Sequence, residues 1–409
     1  MNKDAEILKR LGDQLAKVAA LPVHGEKKKM WRTLNGLKAM RPMVCIDQLP
    51  WHELNINDEL TLQCEDAFLR SVEQRIRKLL YKWNHFPADM VIENRVSIPK
   101  AVRGFNYGLI IEEETLSQND GNDVFSHKYI DQCDTEEKLS LIKADKIEAD
   151  KELDKEHKEI CEDIFKDIIP VHLSGITIHA GVWDRIAQAR PLQNILYDLI
   201  ERPEFLVMVA EKFLALTMSA VDQCEALGLL DADVPVIHCS GAYTDDLPSK
   251  EYDPAMPKTS DCWAFAMAQI FATVGPAHHD EFEIDIMKPL FERFGLLYYG
   301  CCEPLHQKID IIRKIKNVRK ISISPWADFD ASAEKIAGDY VFSGKAHPVY
   351  LSTGELNEEN VKNQVLQMMD ACKRNNTPCE IILKDISTVA GKSEVLSQWE
   401  KLVMRTVRA

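Results

Sequence analysis

The second half of the chain alternates in a way that few folds satisfy. Short apolar runs, GITIHAG (175–181), VPVIHCSG (234–241), WAFAMAQIFATVG (263–275), LLYYG (296–300), KISIS (320–324), HPVYLS (347–352) and EIILKD (380–385), are separated by helical stretches. Apolar runs of this kind between amphipathic helices predict βα units, and βα units predict a parallel sheet. Seven or eight such units, with an early run PMVCI (42–46) as a further strand, fit a (β/α)8 TIM barrel better than an open sheet. Neither G-x-G-x-x-G nor G-x-x-x-x-G-K-[ST] occurs, which counts against dinucleotide-binding and P-loop folds.

Upstream, residues 1–85 read as a helical extension containing the first strand, with a break at 21–27. Residues 86–409 read as the barrel, carrying a charged helical insertion at about 116–165. That insertion begins with polar SQNDGND and continues as an acid- and lysine-rich helix over 135–165, read as a solvated face. The 409 residues carry a net charge of −15, with no basic stripe. Nucleic acid and anionic membrane are poor partners for such a chain. No apolar run approaches the roughly 20 residues of a spanning helix. The amphipathic N-terminus lacks a secretory pattern, so the expectation is a cytoplasmic protein. The 11 cysteines include no CxxC pair, which argues against a disulfide framework. Most are expected as buried small hydrophobes.

In a barrel, function gathers at the C-terminal ends of the strands. Those ends carry Asp47, His238 and Cys239, Gln269, the adjacent pair Cys301 and Cys302 with Glu303, Trp326 and Asp328, and Lys384 with Asp385. Asp47, Gln269 and Asp328 are the candidate catalytic polar groups. Tyr298, Tyr299 and Trp326 are candidate walls for an apolar or aromatic substrate. His238, Cys301, Cys302 and Glu303 are the candidate metal ligands, because zinc takes thiolate, imidazole and carboxylate groups. Strand periodicity would send Cys301 and Cys302 to opposite faces unless the strand has ended at Gly300. A core thiol and a hydrogen-bonded strand-end imidazole are the plain alternatives for Cys301 and His238. His278 and His279 read as helix-capping and surface residues. Asn94 and Arg95 read as an anion clamp or a structural ion pair.

The segment GPAHHDEFEIDIMKPLFERFGLLYYGCCEPLHQKIDIIRKI, followed by SISPWAD and EIILKD, resembles the uroporphyrinogen decarboxylase superfamily. The likeness covers residues 170–409 and extends loosely to WRTLNGLKAMRPMVCID. It implies a (β/α)8 barrel and one of two chemistries. One is cofactor-free decarboxylation of a tetrapyrrole. The other is zinc-assisted methyl transfer between a small methylated donor and a corrinoid on a separate protein. The methyltransferases' His-x-Cys motif aligns with Gly300–Cys302, so the resemblance places Cys302 on the zinc-binding cysteine. Gly300 stands where the histidine would be, and the late cysteine is missing from KDISTVAG. The arginine-rich N-terminal segment of the decarboxylases is also missing, and a propionate-rich tetrapyrrole needs such cations. The expectation is therefore a corrinoid-dependent methyltransferase with zinc as Lewis acid and an aryl methyl ether as donor. A decarboxylase and a non-enzymatic tetrapyrrole- or corrinoid-binding module are the alternatives. A homodimer is compatible with the sequence.

Overall fold

A computed structural model describes residues 3–116 and 126–409; the polar segment 117–123 lies outside the described residues. The central element is a seven-stranded, all-parallel sheet. Its strands are β1 (Met43–Ile46), β2 (Ile178–His179), β3 (Trp263–Ala266), β4 (Leu296–Tyr299), β5 (Val318–Ile323), β6 (Val341–Ala346) and β7 (Cys379–Leu383). Their order in the sheet is β1-β7-β6-β5-β4-β3-β2. The first strand therefore lies beside the last, and the others follow chain order, each parallel pair joined through a crossover connection. Among the described residues no ladder joins β1 to β2, so backbone pairing leaves the expected barrel unclosed at that seam. A separate parallel pair, Val96–Pro99 with Val171–Ser174, stands apart from the main sheet.

The two faces of the sheet have different chemistry. Outward side chains such as Val44, Ile46, Leu297, Tyr299, Ile321, Ile323, Phe342, Ile381 and Leu383 join the helices in one large apolar core. Inward positions, one residue out of phase, carry Trp263, Phe265, Leu296 and Tyr298 in a smaller apolar cluster. The inward positions of β5, β6 and β7 also carry Lys320, Ser322, Ser343, Lys345 and Glu380, all buried. A buried polar face of this kind persists only where its groups pair with one another.

Several boundaries differ from the sequence expectation. The run 234–241 is not a strand of the main sheet. It forms two two-residue pieces, Val236–Ile237 and Ser240–Gly241, paired antiparallel, and its side chains enter the interior. Ser240 donates to Glu380 Oε2 at 2.7 Å and accepts from Lys320 Nζ. HPVYLS is a 3-10 turn at Pro348–Leu351, and the strand lies just before it, in β6. The charged stretch 135–165 is two helices, Glu136–Leu141 and Lys151–Ile164, separated by a short strand at Glu148–Ala149.

The N-terminal helices are Lys3–Ala19, Val23–Asn35 and Ala67–His85. The first and third pack on the end of helix Lys151–Ile164 in a core of their own. Gly12 makes this contact possible, because a Cβ there would fall 2.7 Å from the Phe165 ring. Asp66 caps Ala67–His85 by accepting from the Leu69 backbone at 2.9 Å. Among the described residues no helix is long and apolar enough to cross a membrane.

Candidate active site

The turn after β4 decides the geometry. Gly300 has φ +91°, and a Cβ there would come 2.4 Å from Leu305. Glycine alone takes that conformation without strain. The strand therefore ends at Gly300, and Cys301 and Cys302 both swing over the rim. Their sulfurs are 3.5 Å apart. Lys384, at the end of β7, donates to Cys301 Sγ at 3.2 Å and to Asp385 Oδ2 at 2.7 Å. Cys302 Sγ lies 3.0 Å from Asp385 Oδ2. Two thiols, an ammonium and a carboxylate thus converge from the ends of β4 and β7, which have two strands between them in the sheet.

The charges are arranged asymmetrically. A hydrogen bond from Cys302, reinforced by Lys384, holds the Cys301 thiol below its ordinary range. The same bond, with burial, pushes Cys302 up, so of the two thiols Cys301 gives up its proton more readily. Burial opposes charge on Lys384, but Cys301, Asp385 and Cys302 outweigh it and raise this lysine.

Beneath the thiols lies a buried polar layer. Lys345 donates to Tyr298 Oη and to Ser343 Oγ, the latter at 2.9 Å, and Tyr298 Oη is 2.7 Å from Ser343 Oγ. Lys320 pairs with Glu380 at 2.9 Å, both fully buried. Burial lowers Lys345 to about 8. His238 stacks on Phe265, with ring centroids 3.6 Å apart, and approaches Tyr298 at 5.4 Å. It and Cys239 have positive φ, 41° and 68°, a conformation costing on the order of 1–3 kcal/mol each outside glycine. The buried His238 Nε2 has no hydrogen-bond partner among the described residues, and burial depresses its pKa strongly.

The remaining expected residues are dispersed. Tyr299 faces outward, where its hydroxyl meets buried His279 Nε2 at 2.8 Å. His279 is thus a core residue, contrary to the surface expectation. It belongs to an outer network with Glu283, which burial raises to about 8. Glu303 is buried; its Oε2 accepts from the Cys301 backbone at 2.9 Å, and its Oε1 has no hydrogen-bond partner among the described residues. Asp328 caps helix Phe329–Ile336 by accepting from Ala331 at 3.0 Å. Trp326 is 67% exposed and meets His347 edge-on. Gln269 is exposed, and its backbone donates to Asp184. Asp47 sits at the end of β1, 3.3 Å from Lys82 Nζ. Arg95 is the structural ion pair of the two alternatives, with Asp233 as its partner.

The four expected metal ligands do not form one set. Among the described residues no group of three or more His, Cys, Asp and Glu side chains is placed to hold a metal ion. Cys301 and Cys302 are together, but the ammonium of Lys384 sits against them, and Glu303 is committed to the Cys301 backbone. Sequence reasoning missed Lys345, Lys320 and Glu380. The signal was the polar residue at every second position of VRKISI and VFSGKA, and the lone Glu380 inside apolar CEIIL.

The loop 242–262, a natural lid by composition, lies at the opposite end of the sheet. Its Thr259 and Cys262 carbonyls accept from Gly295, which precedes β4. At the rim a cavity of about 400 Å³ opens instead between Tyr107, His179, Asp184 and Met267.

No family model and no curated protein matches the chain. Among solved structures it is similar to one described as a methyltransferase from Methanosarcina mazei, at 9% identity and a TM-score of 0.52. The match covers 93% of this chain and 98% of that one. At this identity the likeness is one of fold.

Proposed function

We propose that the chain is an enzyme that transfers a methyl group from a small methylated donor, in the first instance an aryl methyl ether, to a corrinoid carried by a separate protein. The observation that carries this reading is the polar cluster of Cys301, Cys302, Lys384 and Asp385 above the buried Lys345–Tyr298 pair. The fold likeness to a methyltransferase supports it.

The chemical problem is the C–O bond. As the methyl group leaves, the aryl oxygen gains the bonding electrons and needs a proton. Lys345, lowered to about 8 by burial, is poised to deliver one near neutral pH through Tyr298 Oη, which it contacts directly. The corrinoid, when presented, supplies the nucleophile that accepts the methyl group. The acid in this reading is an ammonium group. For zinc to serve instead, Cys301 and Cys302 would bind it and Lys384 would leave them.

Cob(I)alamin, free or on a corrinoid protein, incubated with the chain and a panel of methoxylated aromatics and methylamines tests the proposal. The expected result is methylcobalamin, followed by absorbance, with a methoxylated aromatic and no turnover by the chain alone. Cobalamin left unmethylated with every donor, beside carbon dioxide release from a carboxylated tetrapyrrole, would replace this reading with the decarboxylase.

A further inference from the structure

At the seam between β1 and β2, the pair Val96–Pro99 with Val171–Ser174 and the run 233–236 surround a gap. A cavity of about 600 Å³ lies there, and both sheet edges reach it, through Asp47 after β1 and Thr177 before β2. That volume is in the range of small-molecule sites. One wall is helix Ala67–His85, which turns Arg75, Lys78, Leu79 and Lys82 toward the cavity, one helical face by their spacing. Trp51 flanks it, with Lys78 Nζ 4.8 Å from its ring centre.

The charges in this cleft are unequal in what they are free to do. Each acid is engaged: Asp47 with Lys82, Asp233 with Arg95, and Glu93 with Lys28 at 2.7 Å. Asp231 accepts from the Gly175 and Asp233 backbones. Arg75 is exposed and has no ion-pair partner among the described residues. The cleft thus holds one uncommitted guanidinium beside an aromatic face and apolar Ile76, Leu79 and Val96. A guanidinium of this kind prefers a carboxylate, which it binds with two parallel hydrogen bonds.

The cleft also leads inward. A smaller cavity of about 110 Å³ shares Asp47, Lys82 and Val236 with it and reaches Cys45, Cys239 and Gly241. The Gly241 carbonyl accepts from Lys320 Nζ at 3.2 Å, so the inner end lies beside the polar layer described above.

We infer that this seam is the entrance and binding site for the small substrate, and that the substrate is an aromatic carboxylate, with its carboxylate on Arg75 and its ring against Trp51. The inference rests on the proposed methyl transfer for the identity of the substituent that points inward. It separates two doors: a lateral one for the small molecule, and the C-terminal rim for a macromolecule.

The test is binding to the full chain without any corrinoid, using 4-methoxybenzoate and its neutral counterpart methoxybenzene, read by calorimetry and by Trp fluorescence. The wild-type chain should bind the carboxylate, and Arg75→Gln should weaken that binding about tenfold or more while leaving methoxybenzene unchanged. Because Arg75 is exposed and unpaired, its thermal unfolding should not move. Trp51→Leu should weaken both ligands. Undiminished 4-methoxybenzoate binding in Arg75→Gln would overturn the inference, as would no binding to the wild-type chain. Arg75-dependent binding without methyl transfer would keep the seam site and remove the proposed reaction. Methyl transfer from 4-methoxybenzoate at an unchanged KM in Arg75→Gln would do the reverse.

Discussion

In the proposed reaction, Lys345 is the residue on which the chemistry turns. Its position inside β6, donating to Tyr298 and Ser343, is what would let it supply the proton in the proposed transfer. If it is the acid, kcat/KM falls as pH rises through about 8, where this ammonium is lost. Lys345→Met should lower kcat about 100-fold or more, the usual span for a removed general acid, and remove the alkaline limb. A pH–rate profile unchanged in that variant would exclude the role. The same shift has a consequence for stability. The folded pKa lies below the 10.5 of a free lysine, so between about pH 8 and 10.5 the unfolded chain binds more protons at this site. This group therefore makes folding more favourable as pH rises across that window. Lys320 has a different part. It neutralises fully buried Glu380 at 2.9 Å, and Lys320→Met would leave that carboxylate without its nearest cation. The expected loss is about 3 kcal/mol, the lower end for a broken buried pair. Urea denaturation measures it, and an unchanged midpoint would show the pair to be dispensable.

At the scale of elements, the turn at Gly300 carries the site. Gly300→Ala puts a methyl group against Leu305 in a left-handed conformation. It should cost about 1–3 kcal/mol and displace both thiols, seen as a changed rate of Cys302 alkylation. An alkylation rate equal to wild type would mean that the turn does not set the thiol geometry. The elements also show where sequence was readable. LLYYG and EIILKD were legible because their outward faces and bounds are apolar and clear. The strand in YVFSGKA was not, since its inward positions are Ser343 and Lys345, and a polar interior erases the apolar run that marks a buried strand. VPVIHCSG misled for the opposite reason. It is apolar enough for a strand, yet tertiary pairing of Ser240 with Lys320 and Glu380 draws it into the interior as a hairpin. The thiol pair was legible as a rim feature, but its partner Lys384 was only one more strand-end residue, because proximity between β4 and β7 loops is set by sheet curvature and not by local sequence. Tyr299 shows the limit of grouping neighbours: one residue from Tyr298, it faces the helices instead of the interior.

For the whole molecule, a polar, lysine-bearing interior lies beneath a rim where thiols and ammonium meet, with an unladdered seam at one side. A chain whose acid is an ammonium group needs no metal for turnover. Protein freed of metal by a chelator should therefore keep its donor-dependent activity, and elemental analysis should find zinc well below one per chain. Activity lost to the chelator and restored by zinc, with the metal absent from Cys302→Ser, would return the thiols to the role of ligands. The central claim is that the methyl group itself moves, and it is tested most directly by labelling that carbon. A methoxylated aromatic carrying ¹³C in the methyl group, incubated with the chain and a reduced corrinoid protein, should show the ether-carbon resonance replaced by a cobalt-bound methyl resonance, with the free phenol as coproduct. A label that stays on the donor, or appears as methanol or formaldehyde with the corrinoid unmethylated, would contradict the account.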